Sequence, residues 1–153
     1  NMSTKTVNVK GFANNNNQFV VKAQNFDIRI SKNDQFPELE GPSPIEYILA
    51  GYAGCINAVG KLVAKEQGID LKSLQVEISG TLSLDKYQGK ISYERAGFKS
   101  IQVVVKPTSD ATLEELKNWI EAVENRCPIQ DNLINPTPVE LTLLKEFSAI
   151  EAA

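Results

Sequence analysis

The chain has 153 residues, a net charge of −3, and 42% hydrophobic against 23% charged residues, the balance of one ordinary globular domain spanning 1–153. That charge excludes the basic footprint of a nucleic-acid binder, and no run of 18 uninterrupted apolar residues marks a membrane span. With no histidine and two cysteines, the composition also excludes Ser–His and Cys–His nucleophiles, imidazole metal sites and a disulfide scaffold.

Thr4–Lys10 alternates, with Val7 and Val9 on one face, and predicts a strand. The polar run Asn14–Asn17 predicts a turn into a second strand at Phe19–Ala23. Asp27–Ile30 predicts a third, with Phe26, Ile28 and Ile30 in phase, before a polar loop at Ser31–Ser43 containing Pro37, Gly41 and Pro42. Ser43 then opens a long helix. It is a good N-cap, Pro44 suits the first helical position, and Glu46 completes a Ser-x-x-Glu capping box. The following stretch is apolar on almost every face between Tyr47 and Val59, so it belongs in an interior, and Gly68 ends it. Gly51 and Gly54 weaken the helix by roughly 1 kcal/mol each and are expected to mark a break or a close backbone approach just before Cys55.

Leu74–Leu84 alternates as a long strand with Gly80 a candidate bulge; Asp85–Ala96 is a polar loop; Phe98–Lys106 is a strand with Ile101, Val103 and Val105 in phase. After a turn at Pro107–Ala111, Thr112 and Glu115 form a second capping box, and Leu116, Ile120, Val123 and Cys127 share one helix face. Pro128 starts a short further turn entered through Cys127. Pro136–Phe147 closes the chain as a strand with Val139, Leu141 and Leu143 pointing inward. The order predicts an α+β fold with mostly antiparallel pairing.

Each cysteine has two readings from its neighbours. Cys55 is a small buried apolar residue, or a thiol at a helix break that meets free N–H groups and the positive dipole end. Cys127 completes the apolar face of its helix, or lies at a helix end between Arg126 and Pro128 with a cation adjacent in sequence. Glu46 is a capping residue before it is a catalytic acid. Tyr47, Tyr52 and Trp119 are core or contact residues, and the loop charges Lys86, Lys90, Glu94 and Arg95 are solvated. The first thirty residues lack the apolar run of a signal peptide, so a cytoplasmic, reducing location is the expectation.

Gly41-Pro42-Ser43-Pro44-x-Glu46, then Ala50-Gly51-Tyr52-Ala53-Gly54-Cys55, then Arg126-Cys127-Pro128-Ile129 before a final strand, together resemble the OsmC/Ohr family. The resemblance covers roughly residues 26–145. It implies an OsmC-like fold, an antiparallel sheet wrapped on a long buried central helix, in an intertwined homodimer with active sites at the subunit interface. It also implies a peroxide reductase for organic hydroperoxides that uses no metal and no cofactor. Cys55 would match the peroxidatic cysteine and Cys127 the resolving one, with an external dithiol as reductant and a preference for alkyl hydroperoxides from an apolar pocket. The alternative is an OsmC-fold dimer that binds an apolar small molecule, or senses redox state, without efficient turnover.

One position departs from the family's pattern. Active hydroperoxidases of the family carry an acid directly after the motif proline, which positions an arginine on the thiolate. Here that residue is Ile45 and the acid stands at Glu46. One helical step rotates a side chain by about 100°, so Glu46 does not simply replace it. The cation that would serve Cys55 has to come from Lys10, Lys22, Arg29, Arg95 or Arg126, with Glu46 and Arg126 as the supporting candidates nearest the motifs.

Overall fold

The structure, a computed structural model, describes residues 2–13 and 18–146. Strands β1 (Lys10–Ala13), β2 (Phe19–Ala23) and β3 (Phe26–Ile30) form an antiparallel sheet in that order. The helix α1 (Pro44–Gln67) follows, then the antiparallel pair β4 (Ser73–Leu82) and β5 (Phe98–Thr108), and finally helices α2 (Leu113–Arg126) and α3 (Pro128–Ile134).

Local chemistry accounts for the helix boundaries. At α1 the Ser43 side chain accepts from the Glu46 N–H while the Glu46 carboxylate accepts from the Ser43 N–H; Thr112 and Glu115 repeat the device at α2. Gly68 ends α1 in the left-handed region at φ 71°. The loop before α1 is fastened to β3. Ser31 and the Gly41–Pro42 backbone exchange two hydrogen bonds, and a Cβ on Gly41 would fall 1.8 Å from the Arg29 carbonyl oxygen, so only glycine fits there. Asn33, fully buried, accepts from the Gln35 and Phe36 N–H groups and donates to Gln18.

The core lies where α1 meets α2 and the two long strands. Tyr52, Ile56, Val63 and Ala64 of α1 pack with Trp119 and Val123 of α2, and Leu74, Val76, Ile78, Ile101, Val103 and Val105 close over them. Trp119 Nε1–H donates to the Gly60 carbonyl at 2.8 Å, and its ring leaves only 3.0 Å to where a Cβ on Gly60 would stand. By length and composition α1 could cross a membrane; in this fold it is the helix on which the core is built.

Four sequence expectations are corrected. The helix does not break at Gly51 or Gly54: its packing outweighs the propensity cost of two glycines. The first strand is Lys10–Ala13, not Thr4–Lys10, because only that stretch faces β2. The irregularity in the β4–β5 ladder falls at Thr81/Leu82, not at Gly80. Residues 136–146 form no strand, and Val139, Leu141 and Leu143 are 84%, 90% and 88% exposed, because the segment pairs with neither sheet among the described residues. The turn expected at Asn14–Asn17 and the last expected strand residue, Phe147, lie outside the described residues. The chain has 12,487 Å² of accessible surface, where a compact monomer of 16.8 kDa exposes about 7,700 Å².

Candidate functional site

Two helices and a junction bring the cysteines together. Cys55 sits in the middle of α1, on the side turned toward α2. Cys127 ends α2 and caps α3 at once, with extended backbone angles of φ −79° and ψ 112° and Pro128 at the first position of α3. The chain therefore turns sharply at Cys127 and aims its side chain back at α1. The sulfurs are 3.0 Å apart, the Cys127 thiol donating to Cys55 Sγ. Both are free thiols, Cys127 buried and Cys55 half-buried.

The polar surroundings of the pair come from α3 and from one tyrosine. The Gln130 N–H points at Cys127 Sγ at 3.5 Å. Burial pushes the Cys55 thiol up, Cys127 beside it adds to the effect, and the Ile129 N–H pulls the other way. Tyr52, one turn before Cys55, donates its hydroxyl proton to Gln130 Oε1 at 2.9 Å. Burial raises the Tyr52 hydroxyl above its ordinary value, with smaller contributions from Cys127, Glu124 and Cys55, so it is a proton donor throughout the neutral range.

The supporting candidates are engaged elsewhere. Glu46 is held in its capping box, where the Ser43 N–H and hydroxyl keep its carboxyl below the usual range; at 1.5 Å per residue it stands about 13 Å along α1 from Cys55. Arg126 grips both oxygens of Glu66, at 2.7 and 3.1 Å, about 16 Å along α1 in the other direction. Lys22 pairs with Asp27, and Lys10 lies over the Phe12 ring. Among the described residues, the influences on the Cys55 thiol are burial, Cys127 and the Ile129 N–H. The free N–H groups expected from a break in α1 come instead from the start of α3.

Tyr52 and Gln130 border a cavity of about 520 Å³ that also touches Phe98, Ile101, Val103 and Leu133; neither cysteine lines it. Its wall is mixed rather than apolar, since Arg95 and Lys99 line it too. The same two residues also border a cavity of about 230 Å³ lined by Ile56, Val105, Ile120, Val123 and Glu124. The sequence pattern gives Tyr52 as a core or dimer-contact residue and gives Gln130 and Glu66 no role. Tyr52 lies three residues before Cys55, the helical spacing that puts them on neighbouring positions; no local signal links it to Gln130.

The family model described as OsmC-like protein matches residues 31–142. The organic hydroperoxide resistance protein OhrB of Bacillus subtilis (strain 168) is 31% identical over 118 residues, which is 77% of this chain and 80% of that one. Among solved structures, an OsmC-like protein from Mycoplasma pneumoniae superposes with a TM-score of 0.73 at 22% identity, covering 86% of this chain and 89% of its own. The crystal structure of Bacillus subtilis OhrB gives 0.54 at 23% identity, covering 86% and 93%.

Proposed function

This chain belongs to the OsmC-like protein family, and from that membership together with its sulfur pair we propose that it is a two-cysteine peroxide reductase for organic hydroperoxides. The observation that carries the reading is the 3.0 Å approach of Cys127 Sγ to Cys55 Sγ. The Bacillus subtilis relative at 31% identity is named for organic hydroperoxide resistance, which points to the same substrate class.

The chemistry closes without a metal or cofactor. A Cys55 thiolate attacks the terminal oxygen of a hydroperoxide; the O–O bond breaks, and the alkoxide takes a proton and leaves as the alcohol. Cys55 is now a sulfenic acid. Cys127 attacks its sulfur, water leaves, and a Cys55–Cys127 disulfide forms. A dithiol, itself oxidised to a disulfide, restores both thiols by exchange. In a reducing, cytoplasmic compartment that supply of electrons is continuous. The Cys127 thiol already lies at contact distance from its target, so the second step needs little movement.

The protein works as a homodimer in this reading. The exposed alternation of Val139, Leu141 and Leu143 and the surface far beyond that of a compact monomer both fit chain ends completed by a second copy. The second copy would also supply a cation to Cys55. Of the alternatives, a dimer that only binds an apolar small molecule leaves the facing sulfurs without a purpose, while a redox sensor would use the same sulfur pair and differs in its slow turnover.

Stoichiometric cumene hydroperoxide should consume both thiols and give a Cys55–Cys127 disulfide by peptide mapping, and Cys55→Ser should abolish hydroperoxide consumption. Equal, slow consumption by wild type and Cys55→Ser would refute the enzyme.

A further inference from the structure

Helix α3 is seven residues long and buries none of them fully. A helix this short has little stability of its own, yet it must hold Cys127 against Cys55. Ile129 and Leu133 pack on the core, but apolar contact does not fix a helix's rotation. Among the described residues, one hydrogen bond between side chains joins α3 to another element: Tyr52 Oη–H to Gln130 Oε1, 2.9 Å long and bridging 78 positions in sequence.

Gln130 acts at both of its ends. Its side chain is held by Tyr52, and its backbone N–H is directed at Cys127 Sγ. Tyr52 is 7% exposed and rooted in α1 one turn before Cys55. The bond therefore ties the helix that carries one sulfur to the turn that carries the other. A disulfide tolerates only a narrow range of separations and torsions, so a small rotation of α3 would take Cys127 out of line.

We propose that Tyr52 and Gln130 are a positioning pair for the sulfur–sulfur step, their hydrogen bond setting how α3 presents Cys127 to an oxidised Cys55. This rests on the two-cysteine reading for its biological purpose, but the geometry is testable without a peroxide. The pair acts after the first oxidation, so its loss separates the two steps. Cys127 still displaces the leaving group from Cys55 — hydroxide as water after a peroxide, or the hydrazine anion after diamide, which takes up the two electrons and two protons of the thiols — only more slowly.

Tyr52→Phe keeps the ring in the core and deletes the donor. With cumene hydroperoxide the variant should accumulate a dimedone-reactive Cys55 sulfenic acid and form the disulfide about tenfold more slowly, the effect of losing one buried hydrogen bond. Diamide should show the same delay. Alkylation of Cys55 by iodoacetamide should stay within about twofold of wild type, since the thiol's reactivity is not what changes. Gln130→Leu should match it, and the double variant should be no slower than either single one. Disulfide formation at the wild-type rate in Tyr52→Phe with both oxidants would overturn the pairing. If wild type ignores hydroperoxides while diamide still shows the delay, the peroxidase reading falls and the positioning pair stands.

Discussion

The β4–β5 ladder and the stretch 136–146 carry the same kind of alternating apolar pattern, and they end differently. Leu74, Val76 and Ile78 turn one face of β4 onto the core, while β5 pairs with its backbone from Ser73↔Thr108 onward. Val139, Leu141 and Leu143 alternate as regularly and stay almost wholly exposed, with no ladder beside them. The difference is the partner. A strand needs a neighbour for its amides and a surface for its apolar face, and neither is local in sequence. Alternation therefore specifies which side of a strand turns inward, and the rest of the fold decides whether there is an inside to meet.

The largest expected effect breaks the comparison at the exposed end. If a second copy covers 136–146, Leu141→Asp with Leu143→Asp removes about 1.5–3 kcal/mol per side chain, in both subunits of a twofold assembly. The dissociation constant should rise by about 10⁴-fold or more, read by sedimentation equilibrium. A wild-type monomer whose 136–146 amides exchange freely would show that the pattern has no partner. The packed side answers to a smaller change. Trp119→Ala empties the site against Gly60 and deletes the indole hydrogen bond, and should cost about 3–5 kcal/mol in denaturant unfolding. Gly60→Ala, which forces a methyl toward the same ring, should cost about 1–3 kcal/mol.

What was legible in the sequence follows the same division. Both capping boxes, the left-handed stop at Gly68 and the double role of Cys127 as helix end and helix start are set by residues within a few positions of one another, and all are found. The pairings that cross long stretches were not legible: Tyr52 with Gln130 and Arg126 with Glu66. Arg126 illustrates why. Its place next to Cys127 suggested a cation for the sulfur, but adjacent residues on a helix point about 100° apart, and the guanidinium runs to α1 instead. The cysteine pair was singled out through motif resemblance, and the fold sets the two sulfurs 3.0 Å apart. Cys127→Ser sharpens that point. It should allow about one turnover and then lower steady consumption by about a hundredfold, leaving a sulfenic acid on Cys55 for dimedone to label; continued turnover would remove Cys127 from the mechanism.

The smallest effect separates the cap of α1 from the sulfur site. Ser43→Ala removes the acceptor for the Glu46 N–H and should cost about 1 kcal/mol, with no change in the Cys55 oxidation rate because the cap lies two and more turns away. Glu46→Gln asks the same of the acid, and pH gives it a signature. The folded-state carboxyl is held below its ordinary 4.5 by the Ser43 N–H and hydroxyl. A lowered folded value means that the charged form stabilises the fold above pH 4.5 and that this contribution is lost as pH falls through the lowered value. The stability gap between wild type and Glu46→Gln should therefore be full at neutral pH and shrink below 4.5, where the wild-type carboxyl becomes neutral like the amide. Thermal unfolding of both proteins across that range reads it directly. A gap that persists in acid would mean the carboxylate's charge is not what the cap uses, and a loss of peroxide rate at neutral pH without loss of stability would move Glu46 from the helix end to the sulfur site.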